Sequence, residues 1–211
     1  VNMQPVSLVG RVPRKEREKL RVTIPDVILE IERQTDGQIS RDDWYPVPTV
    51  VPISKFIEAL TGRPQFELTT HFACGAATYV FWDEGGELVP ITRFVDVEGL
   101  MRLLENKAEE LRKGRSKYLV MLSTLTKLGK YVDAEKAPRR FRSKRKFLKY
   151  LYMILVRHDY SSLGEFHYQS LFLGMMHFQD PYNYDVSRVQ RCDVHYAMPD
   201  GRIVPFCTFN V

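Results

Sequence analysis

A chain of 211 residues can bury a proper hydrophobic core, as one domain or two small ones, and its 44% hydrophobic content is ordinary for a globular protein. No apolar run approaches the roughly 20 residues of a membrane-spanning helix, and residues 1–13 lack the order of a secretion signal. The net charge of +5 is modest, and three cysteines without such a signal argue against a disulfide framework and for reduced thiols in a cytosolic setting.

Residues 2–10 alternate well enough for a strand ending at Gly10, with Asn2 and Gln4 on one face. Polar amides there suit a polar site as well as a half-exposed edge. The charged run 14–21 reads as a solvated helical turn or loop. A helix then starts after Thr23, with Pro25 and Asp26 in its first turn, and stops at Gly37. Asp42 and Asp43 fall in a polar loop and read as surface carboxylates. Three prolines between Trp44 and Pro52 hold that stretch extended. A short helix over 54–60 ends at Gly62, and 66–70 reads as a strand running into His71 and Cys74. Residues 78–82 and 87–91 form a hairpin around Asp83-Glu84-Gly85-Gly86. Asp96 caps a long helix over 97–113, whose apolar stripe is Leu100, Leu103, Leu104, Ala108 and Leu111. Further helices are predicted over 118–128, 143–156 and 162–178. The last opens on the capping-box pattern Ser162-Leu163-Gly164-Glu165 and is apolar nearly all round, as a buried helix would be.

The chain closes on two β-rich runs flanking Pro199-Asp200-Gly201. Proline presets φ, aspartate bonds its own backbone and glycine accepts positive φ, so a hairpin is predicted with a cysteine far along each arm. A turn centred on Pro199-Asp200 sets Cys192 opposite Cys207. A bulge at Gly201 slips the register by one and turns them to opposite faces. The third cysteine, Cys74, stands in the tight turn His71-Phe72-Ala73-Cys74-Gly75. Thiolates on turns and hairpins are a common cradle for zinc or an iron–sulfur cluster, with buried inert thiols as the plainer reading. His71, three residues from Cys74, is a candidate ligand. His195 lies near Cys192, while His158, His167 and His177 fall in predicted helices.

Arg139, Arg140, Arg142, Lys144, Arg145, Lys146 and Lys149 form a basic run with no acid between Glu135 and Asp159. It leads into an apolar face, so it suits an anionic membrane surface or RNA as well as solvent. No Gly-rich phosphate loop, GxSxG or HExxH is present.

Five stretches carry a resemblance: Asn2-Met3-Gln4-Pro5-Val6-Ser7, Tyr45-Pro46-Val47-Pro48, Cys74-Gly75-Ala76-Ala77-Thr78-Tyr79, Ile91-Thr92-Arg93-Phe94-Val95-Asp96 and the hairpin between Cys192 and Cys207. Together they resemble the C-terminal half of archaeal-type radical S-adenosylmethionine (SAM) proteins of the tetraether lipid synthase group. The resemblance implies an α+β chain. The closing strand and helix of a partial radical-SAM α/β barrel would occupy residues 1–62, and a mixed helical and β-hairpin auxiliary-cluster domain residues 63–211. It implies a [4Fe–4S] cluster on Cys74, Cys192 and Cys207, with His71 as a further ligand, and Asn2 and Gln4 facing S-adenosylmethionine or substrate. In that family a cysteine often stands at the place of Thr49, so the fourth cluster position here would be open or non-cysteine. The implied reaction joins isoprenoid lipid chains carbon to carbon at an anionic membrane surface, in an oxidoreductase that is cytoplasmic or peripheral to the membrane. The family's CxxxCxxC motif is absent, so the N-terminal radical-SAM core is expected elsewhere in a longer protein and this chain alone is not expected to be active. The alternative is a non-enzymatic module binding RNA or anionic membrane through the basic run.

Overall fold

The computed structural model describes residues 1–143, 168 and 170–209. In chain order its elements are β1 (Asn2–Met3), α1 (Arg14–Leu20), α2 (Ile24–Gln34), β2 (Tyr45–Pro46), α3 (Val51–Thr61), β3 (Gly75–Trp82), β4 (Leu88–Pro90), α4 (Val97–Arg112) and α5 (Lys117–Leu128). They continue with β5 (Ser170–Met176), α6 (Val186–Val189), β6 (His195–Ala197), β7 (Ile203–Pro205) and α7 (Phe206–Phe209). Two compact units emerge, each built from separated segments. Val1–Pro48, Leu68–Ala77 and Leu173–Val211 form the first; Thr49–Glu67 and Thr78–Phe172 form the second.

The second unit is organised by α4. Asp96 caps it, its carboxylate accepting the Gly99 N–H at 2.8 Å. All five residues of the predicted stripe, Leu100, Leu103, Leu104, Ala108 and Leu111, are buried. They pack with Phe56 of α3, Phe81 of β3, Val120 and Leu128 of α5, and Phe141. Each of these leucine, valine and phenylalanine side chains contributes about 1.5–3 kcal/mol on burial. Lys107 lies on the same helix with its side chain 3% exposed, and its ammonium is held by Glu110 at 2.7 Å; a buried charge survives only when paired in this way. The predicted hairpin forms between β3 and β4, with Val80, Phe81 and Trp82 opposite Pro90, Val89 and Leu88. α3 starts three residues before the predicted helix because Pro52 sits in its first turn, where a missing N–H costs nothing.

In the first unit the strands follow the order β1-β5-β3-β2. β1 lies parallel to β5, Asn2 opposite Gly174, and β2 antiparallel to β3, Tyr45 opposite Ala77. α2 begins as predicted, with Thr23 and Asp26 closing a capping box. α1 buries nothing, and the Arg17 guanidinium lies 4.1 Å from the centre of the Tyr182 ring.

Several predicted elements are corrected. The opening strand stops at Met3, because the following backbone is claimed by partners that are not strands. Ser7 Oγ donates to the Phe178 carbonyl (2.9 Å), Leu8 N–H to the Asp180 carboxylate (2.7 Å) and Val12 N–H to Tyr182 Oη (2.8 Å). Residues 66–70, predicted as a strand, join no ladder. Residues 170–176, predicted as part of a helix, form β5; a short continuous apolar run cannot be told from a buried helix by periodicity. Asp43 is buried, not a surface carboxylate: it accepts the Ser40 N–H and hydroxyl at 2.7 and 2.8 Å. The predicted helix 143–156, Ser162 to Glu165, His158 and His167 fall wholly or almost wholly outside the described residues. Among the described residues no helix is long and apolar enough to cross a membrane.

Candidate cysteine site

All three cysteines belong to the first unit, and each is placed by a different local device. Cys74 closes a 3-10 turn, Phe72–Cys74, whose start is capped by His71: the ring Nδ1 accepts the Ala73 N–H at 3.2 Å. The next residue must be glycine. A Cβ on Gly75 would stand 2.6 Å from the Met175 carbonyl oxygen and 2.9 Å from Val47 Cγ2, so only a bare backbone lets β3 approach β5 this closely. That approach lets the His177 N–H donate to the Cys74 carbonyl at 2.9 Å. Gly75→Ala is therefore expected to destabilise the first unit by about 1–3 kcal/mol. Urea denaturation followed through Trp44, which is buried in this unit, is the check.

Cys192 follows α6, its N–H bonded to the Val189 carbonyl and its thiol donating to the Val194 carbonyl at 3.0 Å. Cys207 sits in α7 and is 7% exposed; its Sγ accepts the Gln179 N–H at 3.4 Å. The terminal hairpin takes the slipped register, with His195 opposite Pro205 and Ala197 opposite Ile203. Gly201 at φ +83° supplies the extra residue. Neither cysteine lies on a paired strand, so the question of opposed thiols does not arise at the ladder; the sequence elements on either side carry them.

Burial pushes the Cys207 thiol up, and the charges of Cys192 and Cys74 add to that rise, while the Gln179 N–H and the charge of Arg188 oppose it. Arg188 itself is 8% exposed. Its Nη2 donates to the His177 carbonyl at 2.6 Å and its Nε to Cys74 Sγ at 3.5 Å. Among the described residues no group of three or more His, Cys, Asp or Glu side chains is gathered tightly enough for a single metal ion. An iron–sulfur cluster asks for something else: its irons stand at separate corners, so its thiolates need not converge on one point. Soft sulfur donors, partial burial and a cationic neighbour suit such an anionic group.

The other predicted site residues divide. Gln4 lines a 520 Å³ hollow together with Val6, Ser7, Phe178, Phe206 and Cys207, whereas Asn2 is exposed on β1. His71 spends Nδ1 on its own turn, leaving only Nε2 for a metal. His177 is at the end of β5, not in a helix. Burial lowers its imidazole from the ordinary range, and Nε2 lies 3.3 Å from the Val6 carbonyl, an acceptor that requires this nitrogen to carry the proton. His195 is exposed on β6. Of the basic run, Arg139 is tied to the 83–84 turn, its N–H bonded to Asp83 at 3.0 Å and its guanidinium 3.9 Å from Glu84. Arg142 donates to the Ala137 carbonyl. Lys144, Arg145, Lys146 and Lys149 lie outside the described residues, as does the side chain of Arg140. Arg188 is the site residue that the pattern of the sequence did not flag. A lone arginine in a polar stretch carries no local signal, and its role appears only when α6 turns it inward. Two larger hollows, of 740 and 650 Å³, lie on the second unit and hold neither cysteine nor histidine.

No family model matches the chain. Over all 211 residues it is 47% identical to the 7,8-dihydro-6-hydroxymethylpterin dimethyltransferase of Methanocaldococcus jannaschii. The chain spans 41% of that relative's length. This similarity corrects the resemblance to tetraether lipid synthase, because the relative's name is that of a methyltransferase of a pterin and not of an enzyme joining lipid chains. The stretches behind the resemblance are turns, caps and a hairpin that shape a scaffold, and a scaffold does not name its substrate.

Proposed function

We propose that the chain is part of a longer radical S-adenosylmethionine methyltransferase acting on a pterin-type heterocycle, and that it contributes an auxiliary iron–sulfur cluster held by Cys74, Cys192 and Cys207. The observation that carries the reading is the 47% identity maintained across every residue of the chain to a pterin dimethyltransferase. It is supported by three cysteines, far apart in sequence, that fall in one compact unit, Cys74 with its Sγ 3.5 Å from Nε of the buried Arg188.

Bound, the cluster would supply electron transfer or a Lewis-acidic iron. The residues of this chain would do the rest. Cys207 would be screened from water by its burial and steadied by the Gln179 N–H. Cys74 would be held by the turn that His71 caps and by the His177 N–H on its carbonyl. Arg188 would offset the negative charge of the thiolates. With three thiolates from this chain, a fourth position remains for a non-cysteine ligand. The hollow beside Cys207 gives such a ligand a way in. Because this chain carries no CxxxCxxC, the cluster that cleaves S-adenosylmethionine would be held by another part of the longer protein.

Anaerobic reconstitution with iron and sulfide tests the cluster. About four iron atoms per chain are expected, falling to background when Cys74, Cys192 and Cys207 are all replaced by alanine. Iron at background in the unsubstituted protein would remove the cluster from the reading. Transfer of labelled methyl from S-adenosylmethionine to 7,8-dihydro-6-hydroxymethylpterin by the longer protein tests the substrate, and failure on the pterin alone would leave the cluster in place.

A further inference from the structure

The 520 Å³ hollow of the first unit is built by segments that the chain keeps far apart: the strap after β1, the stretch Phe178–Asp180 that follows β5, and the start of α7. Each wall is pinned to another. Ser7 Oγ donates to the Phe178 carbonyl at 2.9 Å, the Leu8 N–H to Asp180 at 2.7 Å and the Gln179 N–H to Cys207 Sγ at 3.4 Å. Walls fixed before a ligand arrives spare it the cost of ordering them. The volume falls in the range of about 300–1,000 Å³ usual for small-molecule sites.

The chemistry of the walls selects the ligand. Phe178 and Phe206 supply an aromatic side, their ring centres 4.4 Å apart, and Tyr196 stacks on Phe206 at 5.3 Å and 19°. Among the described residues Asp180 is the only carboxylate or cation on the wall. Both of its oxygens are already taken, by Arg21, Leu8 and Tyr182. A hollow with no free charge does not favour a phosphate or a carboxylate. What it offers is neutral hydrogen bonding. Gln179 is 4% exposed; its Oε1 accepts the Asp185 N–H, while its Nε2 has no partner among the described residues. The exposed Gln4 amide makes no hydrogen bond among the described residues. Ser7, having given its proton to Phe178, keeps lone pairs with which to accept. A primary amide presents a donor and an acceptor side by side. That pair matches the alternating N–H and C=O of a pyrimidinone edge, as Asn and Gln match the edge of adenine.

We infer that this hollow seats the pterin ring, with Phe178 and Phe206 against the flat heterocycle and Gln4 and Gln179 bonded to its polar edge. The inference rests on the pterin reading above and is independent of the cluster.

Two substitutions in the longer protein test it. Gln4→Leu keeps the bulk and removes the amide. Val6→Trp sets an indole in the hollow from a residue that is 36% exposed on its wall. Each protein is checked for folding by circular dichroism and titrated anaerobically in a calorimeter, once with 7,8-dihydro-6-hydroxymethylpterin and once with S-adenosylmethionine. Gln4→Leu is expected to weaken pterin binding about tenfold, the worth of one or two hydrogen bonds. Val6→Trp is expected to weaken it by about a hundredfold or more, as a filled site would. S-adenosylmethionine affinity is expected to stay unchanged in both. Pterin affinity that holds within about twofold in both folded variants would overturn the inference and leave the pterin reading standing. A matching loss of S-adenosylmethionine affinity would mean that an adenine ring takes the hollow instead, and would overturn it too. No pterin binding by the unsubstituted protein would overturn both readings at once.

Discussion

Asp180→Ala is expected to remove about 3–5 kcal/mol from the stability of the first unit, the usual result of deleting one partner of a buried ion pair. The side chain of Asp180 is 1% exposed and that of Arg21 22%. One carboxylate oxygen takes Arg21 Nη1 at 2.7 Å and the Leu8 N–H at 2.7 Å. The other takes Arg21 Nη2 at 3.1 Å and the Tyr182 N–H at 3.0 Å. Alanine leaves a guanidinium and two backbone N–H groups without their acceptor, and the strap that runs from residue 5 to residue 21 loses its main clasp. The paired replacement Arg21→Met with Asp180→Leu is expected to recover only part of the loss, since the two backbone donors stay unanswered. Urea denaturation in a Trp82→Phe background, where Trp44 is the remaining tryptophan, reports the unit directly. A loss under about 1 kcal/mol would mean that the strap is held by other contacts.

The same carboxylate gives a pH dependence. Burial raises its pKa, but the Arg21 guanidinium and the Leu8 and Tyr182 N–H groups outweigh that and hold it below the ordinary value of 3.8. A folded-state pKa below the unfolded one means that the stabilisation is complete above the ordinary carboxylate range. It is lost as the pH falls through the lowered folded value. The stability difference between the unsubstituted protein and Asp180→Asn is therefore expected to be constant from neutrality down to roughly pH 5 and to shrink below it. A difference that grew on acidification would contradict the assignment.

Phe81→Ala is expected to cost the second unit about 3–5 kcal/mol. Phe81 is fully buried on β3, and its ring meets Phe94 at 5.4 Å and 71° and Phe141 at 5.2 Å and 78°. Both are edge-to-face geometries, each worth about 0.5–1.5 kcal/mol beyond the area buried. Alanine removes the ring and leaves a cavity that Phe94, Leu104 and Phe141, all buried in the same core, can fill only by leaving their own rotamers. Phe81→Leu keeps most of the volume and is expected to lose less than half as much. The measurement is urea denaturation followed by far-ultraviolet circular dichroism, with the midpoint lowered and the slope unchanged. A fallen slope would instead mean that the native state had loosened.

How far these features could be read beforehand depends on where their causes lie along the chain. Helix α4 was legible down to its buried residues, because Asp96, the 3.6-residue stripe and the stop near Lys113 are all local. So were the Thr23–Asp26 capping box and the β3–β4 hairpin with its Asp-Glu-Gly-Gly turn. β5 was not. Leu171-Phe172-Leu173-Gly174-Met175-Met176 is apolar on every side, and only pairing with β1 and β3 decides that it is a strand. The opening segment failed for the opposite reason. Its alternation was sound, yet the donors of Ser7, Leu8 and Val12 are claimed by residues some 170 positions away. No window along the sequence contains both partners.

The candidate site divides in the same way. Composition and turn chemistry singled out Cys74, Cys192 and Cys207, and they put two of them on the arms of a hairpin, whereas the paired strands end short of both. By itself the sequence determined these local choices: caps, turns, the amphipathic face of α4 and the residue types able to bind iron, each set by neighbours within a few positions. The slipped register at Gly201, the clasp on Asp180 and the inward turn of Arg188 were decided by the tertiary structure. Burial, charge compensation and backbone pairing act through space, on residues that the chain keeps far apart until it folds.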